Sequence, residues 1–207
     1  MHRDIKEKEM TSTQRFLLSY QTCQWWNAVF IQAKRFLAIL KDDHGGDPWS
    51  NEKNSMFIAE RMFLITAIFH AIEDLEKLDS ELRRQGDESL QIVMQAIEKV
   101  APLQDIKNLR DMNEHTLDYL LESGRKQDQF RSTVQKEKYT FYTTAAWTIV
   151  HGDAKTMLLG NVEIDKLLAA MKEQLPFVQE KTKKVFEKEL ISRDDGQNGN
   201  EEKNNGC

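Results

Sequence analysis

The chain has 207 residues, 29 Lys and Arg against 34 Asp and Glu, a net charge of −5, and only nine glycines and three prolines. Such a length suits one domain with an added element and can enclose a real core, and abundant charge with scarce Gly and Pro favours a helix-rich bundle. The negative balance argues against broad nonspecific nucleic-acid binding, which must neutralise many phosphates, but it leaves room for a locally basic cleft.

Residues 1–10 (MHRDIKEKEM) are charged, lack the apolar run of a signal peptide, and are expected to be a flexible N-terminus. From about Thr11 to Lys41 apolar residues recur at helical spacing: Phe16, Tyr20, Cys23, Trp26, Phe30, Leu37 and Leu40. Thr11 or Ser12 can cap the start, and Gly45-Gly46 with Pro48 ends it. The pair Trp25-Trp26 makes this helix bulky on more than one side. Cys23 and Cys207 are far apart, so they form neither a metal spacing nor a disulfide framework, and Cys23 is expected to pack in the core.

Residues 42–54 form a polar loop. A second long helix is expected from about Ser55 to Arg84, with Phe57, Ile58, Met62, Ile65, Phe69, Ile72, Leu75 and Leu78 on its inner face. Gly86 breaks it, and Asp87 is the expected cap of a shorter helix carrying Leu90, Val93, Met94 and Ile97. Ala101-Pro102 punctuates again, and a fourth helix is expected from about Leu103 to Glu122, stopping at Gly124. No uninterrupted apolar stretch approaches the length needed to span a bilayer, so the expectation is a cytoplasmic protein with no membrane partner.

After residue 124 the character changes. Residues 125–138 are rich in Arg, Lys and Gln, and extend the helix or cross the surface. Tyr139 to Val150 is dense in Thr, aromatic and β-branched residues, His151-Gly152-Asp153 reads as a turn, and Thr156 to Leu159 follows: a β-hairpin pattern. Asn161 can cap a last amphipathic helix through Ile164, Leu167, Leu168, Met171, Leu175, Val178, Val185 and Phe186, kinked at Pro176. The organisation expected is a helical bundle over 11–124, a basic connector, hairpin and C-terminal helix over 125–191, and a disordered tail over 192–207, too polar to pack.

The chemistry-bearing stretch is Leu109-Arg110-Asp111-Met112-Asn113-Glu114-His115. On an ideal helix Ile106, Leu109, Leu117 and Leu120 define the buried stripe, and Arg110 and Asn113 fall inside it. Polar groups there are costly unless paired or facing a cleft. An arginine offers a planar fork of donors to a phosphate, and a histidine moves protons near neutral pH. His115 lies about 140° from Arg110 on one helix, so the two side chains diverge. Convergence needs a distorted helix, a long reach by Arg110, or a second copy of the motif across a dimer interface. Asp111 lies one turn before His115 and can bond its ring.

Arg-polar-x-x-x-His late in a helical bundle resembles the HEPN superfamily, here as Arg110-Asp111-Met112-Asn113-Glu114-His115. The resemblance covers roughly residues 11–122; the hairpin and last helix lie outside the HEPN core. It implies a HEPN-like, mainly α bundle and a metal-independent endoribonuclease, toxin-like or an inactive RNA-binding relative. Two protomers would bring their motifs together in a homodimer. Arg110 would bind the scissile phosphate, His115 act as acid or base, and Asp111 orient them. Asn113, Arg125 and Lys126 would contact single-stranded RNA, and an antitoxin or other protein partner is implied.

The alternative is a non-enzymatic helical interaction or dimerisation module, in which Arg110 pairs with a buried carboxylate and His115 is a surface residue. His70, with Glu73 and Asp74, lacks a second carboxylate–histidine helix at metal spacing, so no metal or other cofactor is assigned. The basic stretch from Arg125 to Lys138 reads as a solvated surface, or alternatively as a phosphate-steering rim.

Overall fold

A computed structural model describes residues 9–41, 52–115, 118, 123–125, 132–136, 139–143, 158–159 and 162–201, with the side chains of 40–41, 52–54, 132–136, 139–143, 158–159 and 192–201 outside the description. The protein is mainly α. Its elements are α1 (Ser12–Lys41), α2 (Glu52–Arg84), α3 (Gln91–Val100), α4 (Leu103–Glu114), β1 (Ser132–Lys136), β2 (Tyr139–Thr143), β3 (Leu158–Leu159), β4 (Val162–Glu163) and α5 (Ile164–Glu201).

Helix α1 opens with a reciprocal capping box. Gln14 N–H donates to Thr11 Oγ1 at 3.2 Å, and Thr11 N–H donates to Gln14 Oε1 at 2.9 Å, satisfying two donors that the first turn would otherwise leave open. Thr11, not Ser12, is therefore the cap. Three long helices then pack together. Arg15 meets Glu81, Trp26 meets Ala71 and Phe36 meets Phe57, so α2 runs antiparallel to α1. Phe16 stacks on Phe186 and Asn27 bonds Gln179, so α5 also runs antiparallel to α1, on another flank. The short helix α3 packs on α5, and α4 packs on α2.

The residues of α1 that reach the core are Leu18, Trp26, Val29, Ala33 and Phe36, not the expected set as a whole. Trp26 is fully buried and donates its indole N–H to the Ala71 carbonyl at 3.1 Å, so a large apolar body is placed without an orphaned donor. Tyr20 is exposed instead, and Phe16, Phe30 and Leu37 line the α5 side. The reason is that α1 serves two partners, and the stripe chosen from spacing follows the seam with α5. On α2, Ile58 and Met62 are likewise exposed, while Leu64, Ile65, Ile68, Ile72, Leu75 and Leu78 carry the core.

The most apolar part of Ser55–Arg84 reaches a mean hydropathy of 1.5 and is, by length and composition only, a candidate span. Glu60 and Arg61 interrupt it, so it is not the uninterrupted apolar stretch whose absence was expected. In this bundle 44% of its most apolar part is buried, and its buried side belongs to the core shared with α1 and α4.

The end of α2 is a Schellman motif. Gly86 adopts φ 81°, its N–H bonds Arg83 O, and Asp87 N–H bonds Leu82 O, each at 2.9 Å. Asp87 is not the N-cap of α3. That position is Leu90, which has no side-chain cap bond, and Asp87 Oδ1 accepts from Ser89 N–H at 3.0 Å instead. Asp87 also pairs with Lys181 of α5. The hydrogen bond from Lys181, with a second from Ser89, holds its carboxyl down to about 2.

Helix α4 starts after Pro102, as expected, but it ends at Glu114 and not near Glu122. The described residues hold a hairpin that begins before the expected one. β1 pairs antiparallel with β2, from Ser132↔Thr143 to Lys136↔Tyr139, so the basic connector itself supplies a strand. Thr133 and Val134 are β-branched, which suits them to a pleated surface. A second small pair joins β3 and β4 around Gly160-Asn161, a sequence typical of a two-residue hairpin loop. Residues 144–157, expected to hold much of the hairpin, lie outside the described residues, as does the proposed cap Asn161. Helix α5 runs past Pro176 and on to Glu201, through the first part of the segment expected to be disordered.

At one end of the bundle Arg15 joins all three long helices. Its Nε donates to Glu189 Oε1 at 2.7 Å, and an NH1 donor lies 3.4 Å from Glu81 Oε1, both carboxylates being buried. Burial pushes the Glu189 carboxyl up, but hydrogen bonds from Arg15 and Ser12 outweigh it and leave it below its usual range. Arg15→Met leaves buried Glu189 without its guanidinium, although Glu81 keeps Arg84, so it should cost about 3 kcal/mol in urea unfolding at neutral pH.

The Asp87–Lys181 pair predicts a second effect. Because the folded pKa of Asp87 lies below its ordinary value, its contribution is complete above about pH 4 and is lost as pH falls toward 2. Its part exposure reduces the contribution to on the order of 1 kcal/mol. Asp87→Asn should therefore lower stability at pH 6 by about that amount, and chevron midpoints for variant and parent should converge near pH 2.

Candidate functional site

Helix α4 buries Ile106, Asn108, Leu109, Met112 and Asn113. Asn113 thus occupies the core-facing side, as expected, with 5% of its surface exposed. Arg110 does not. Its side chain is 41% exposed and lies along the flank of the helix, with the guanidinium carbon 4.4 Å from the centroid of Phe69 on α2. Its Nε donates to Glu114 Oε1 at 2.8 Å, one turn on along the same helix. A cation over a ring face is stabilised by the ring quadrupole, and an i,i+4 ion pair adds a few tenths of a kcal/mol. The guanidinium is therefore held from two sides while part of it stays open to solvent.

His115 is the C-cap of α4, with φ −111° and ψ 34°, so it leaves helical geometry and its ring is presented at the end of the helix. Its N–H bonds Asp111 O at 3.0 Å. The carboxylate facing the ring is that of Asp118, with Oδ2 3.6 Å from Nδ1. Asp111 thus engages His115 through its backbone carbonyl. The imidazole is 59% exposed. Within one chain Arg110 and His115 face different carboxylates, Glu114 and Asp118.

Arg125 is exposed, just beyond Gly124, and Lys126 lies outside the described residues. Lys107 reaches Glu76 at 3.0 Å and ties α4 to α2 at the surface.

Sequence reasoning missed Phe69 as a partner of Arg110, although it placed Phe69 on the inner face of α2. It also missed the neighbouring stack of Trp25 on His70, with centroids 4.8 Å apart, which Phe69 meets edge-on at 5.3 Å. These contacts join α1, α2 and α4, and no local spacing encodes them. Asp118 was legible as an acidic residue three places after His115. The trio His70, Glu73 and Asp74 splits: Glu73 faces His70 at 3.7 Å, while buried Asp74 faces Lys77 at 3.8 Å. Burial raises the Asp74 pKa, with Lys77 and His70 pulling against it. Among the described residues no group of three or more His, Cys, Asp or Glu is arranged to hold a metal ion.

No family model, curated protein or solved structure matches this chain.

The geometry around Arg110 makes one stability prediction. Arg110→Ala loses the ring contact and the Glu114 pair, both at a partly exposed position, and should cost about 0.5–1.5 kcal/mol in denaturant unfolding. Arg110→Lys should recover part of that, since a cation over Phe69 remains. A loss of several kcal/mol would instead mark Arg110 as a buried structural charge.

Proposed function

We propose that this protein is a metal-independent endoribonuclease of the HEPN type, acting on single-stranded RNA as a homodimer. The observation that carries the reading is the state of the two motif side chains at the end of α4. A guanidinium steadied by Phe69 and Glu114 and an imidazole at the helix terminus are both open to solvent, and exposed carboxylates engage both. Exposed ion pairs are weak, so a phosphate can displace Glu114 from Arg110 at little cost.

In this reading His115 takes the proton of a ribose 2′-OH or gives one to the leaving 5′ oxygen. Arg110 stabilises the negative charge that builds on the phosphoryl oxygens. The second protomer supplies the other motif, because Arg110 and His115 of one chain engage different carboxylates. A protein partner of the antitoxin kind would act by covering this end of α4.

The second reading, a non-enzymatic interaction module, is favoured by one specific feature. Met56, Ile58, Met62 and Phe63 are all exposed in the first turns of α2, a concentration of large apolar groups that partner-binding helices share.

Purified protein should cleave single-stranded RNA in EDTA, and His115→Ala and Arg110→Ala should each lower the rate by about 10²-fold or more. Light scattering should give a dimer at micromolar concentration. Glu114→Gln should tighten RNA binding, because it releases the guanidinium. A monomer, or cleavage that survives His115→Ala, would hand the assignment to the interaction module.

A further inference from the structure

The second half of α1 and the first half of α5 enclose an open groove of about 700 Å³, floored by Phe30, Leu37, Leu168 and Leu175, with Lys34 on one wall and Lys172 on the other. Alanines supply the rest of the lining, too short to close the gap between the helices. Both lysines are exposed, and among the described residues neither enters an ion pair or a hydrogen bond. Further along α5 the pattern differs: Lys181, Lys183 and Lys184 all face carboxylates. An apolar trough flanked by two uncompensated positive charges, on an otherwise acidic chain, is complementary to an apolar body with an acidic head.

We propose that this groove binds an anionic amphiphile, its chain on Phe30, Leu37, Leu168 and Leu175 and its acid group between Lys34 and Lys172. The volume falls in the range of small-ligand pockets. The lining spans residues 30–38 of α1, about 12 Å at the helical rise, which suits an extended chain of roughly ten carbons. Among the described residues nine line it, against the roughly 20–30 a side of a stable protein interface, so a small ligand fits better than a protein partner. The apolar floor supplies most of the affinity, and the lysines supply selectivity for a charged head.

The test is titration calorimetry of the full chain with sodium dodecanoate, kept below its micelle concentration. One equivalent should bind, with dodecanol at least about tenfold weaker. Lys34→Ala combined with Lys172→Ala should weaken dodecanoate binding by about tenfold. Ala169→Trp, at an exposed position in the trough, should block binding while circular dichroism and melting stay unchanged. The double lysine variant alters only exposed side chains, so it decides the matter even where the tryptophan variant misfolds. Absence of dodecanoate binding, equal binding of dodecanol, or indifference to the lysines each overturns the proposal. So does an acidic amphipathic peptide that occupies the groove when dodecanoate does not.

Discussion

Helix α1 has to satisfy two partners at once, and the rest of the bundle is arranged around that constraint. One flank meets α2 through Trp26, Val29, Ala33 and Phe36, and another meets α5 through Phe16, Phe30 and Leu37. Trp26 is the pivot, because its ring fills the core and its buried indole N–H finds an acceptor in the Ala71 carbonyl of α2. A helix used on two sides cannot show a single clean apolar stripe, and its neighbours cannot close on it equally well everywhere. Bulky groups close the α2 side, while the α5 side is left with troughs where small residues meet.

One end of the bundle, where α1 begins and α2 finishes, is locked by charge. Arg15 binds carboxylates from α2 and α5 at one corner, and Asp87 binds Lys181 just after α2 ends. Buried charges are expensive, so the Arg15 cluster specifies how α5 lies against the α1–α2 pair more than it adds net stability. The same cost shows elsewhere on α2. Arg61 is 2% exposed, and burial pushes its guanidinium down to about 10.

At α4 the physics runs the other way. Its polar residues are kept at the surface, except Asn108 and Asn113, and Arg110 and His115 each face a carboxylate. The helix ends at Glu114 because His115 leaves α geometry, and this turns a histidine expected on the wall of a helix into one at its tip. Phe69 supplies what the motif itself lacks, a rigid surface that holds a long flexible arginine in one place.

Much of the architecture was legible in the sequence because helical periodicity, capping residues and breakers are local. The Thr11–Gln14 box, the turn at Gly86, the start at Pro102 and the α3 stripe of Leu90, Val93 and Ile97 are all statements about residues within one or two turns of each other. The faces of α1 and α2 were only partly legible, since which stripe is buried depends on how many neighbours a helix has. The strand β1 in the basic connector was not legible, because short polar segments with Thr and Val suit a surface helix and an edge strand almost equally. By itself the sequence determined the helical class, the order of the long helices and the identity of the Arg110 to His115 motif. Tertiary structure alone decided that Arg110 lies over Phe69 and that α1 and α5 leave a groove between lysines. Those contacts join residues far apart along the chain, and no local propensity carries information about them.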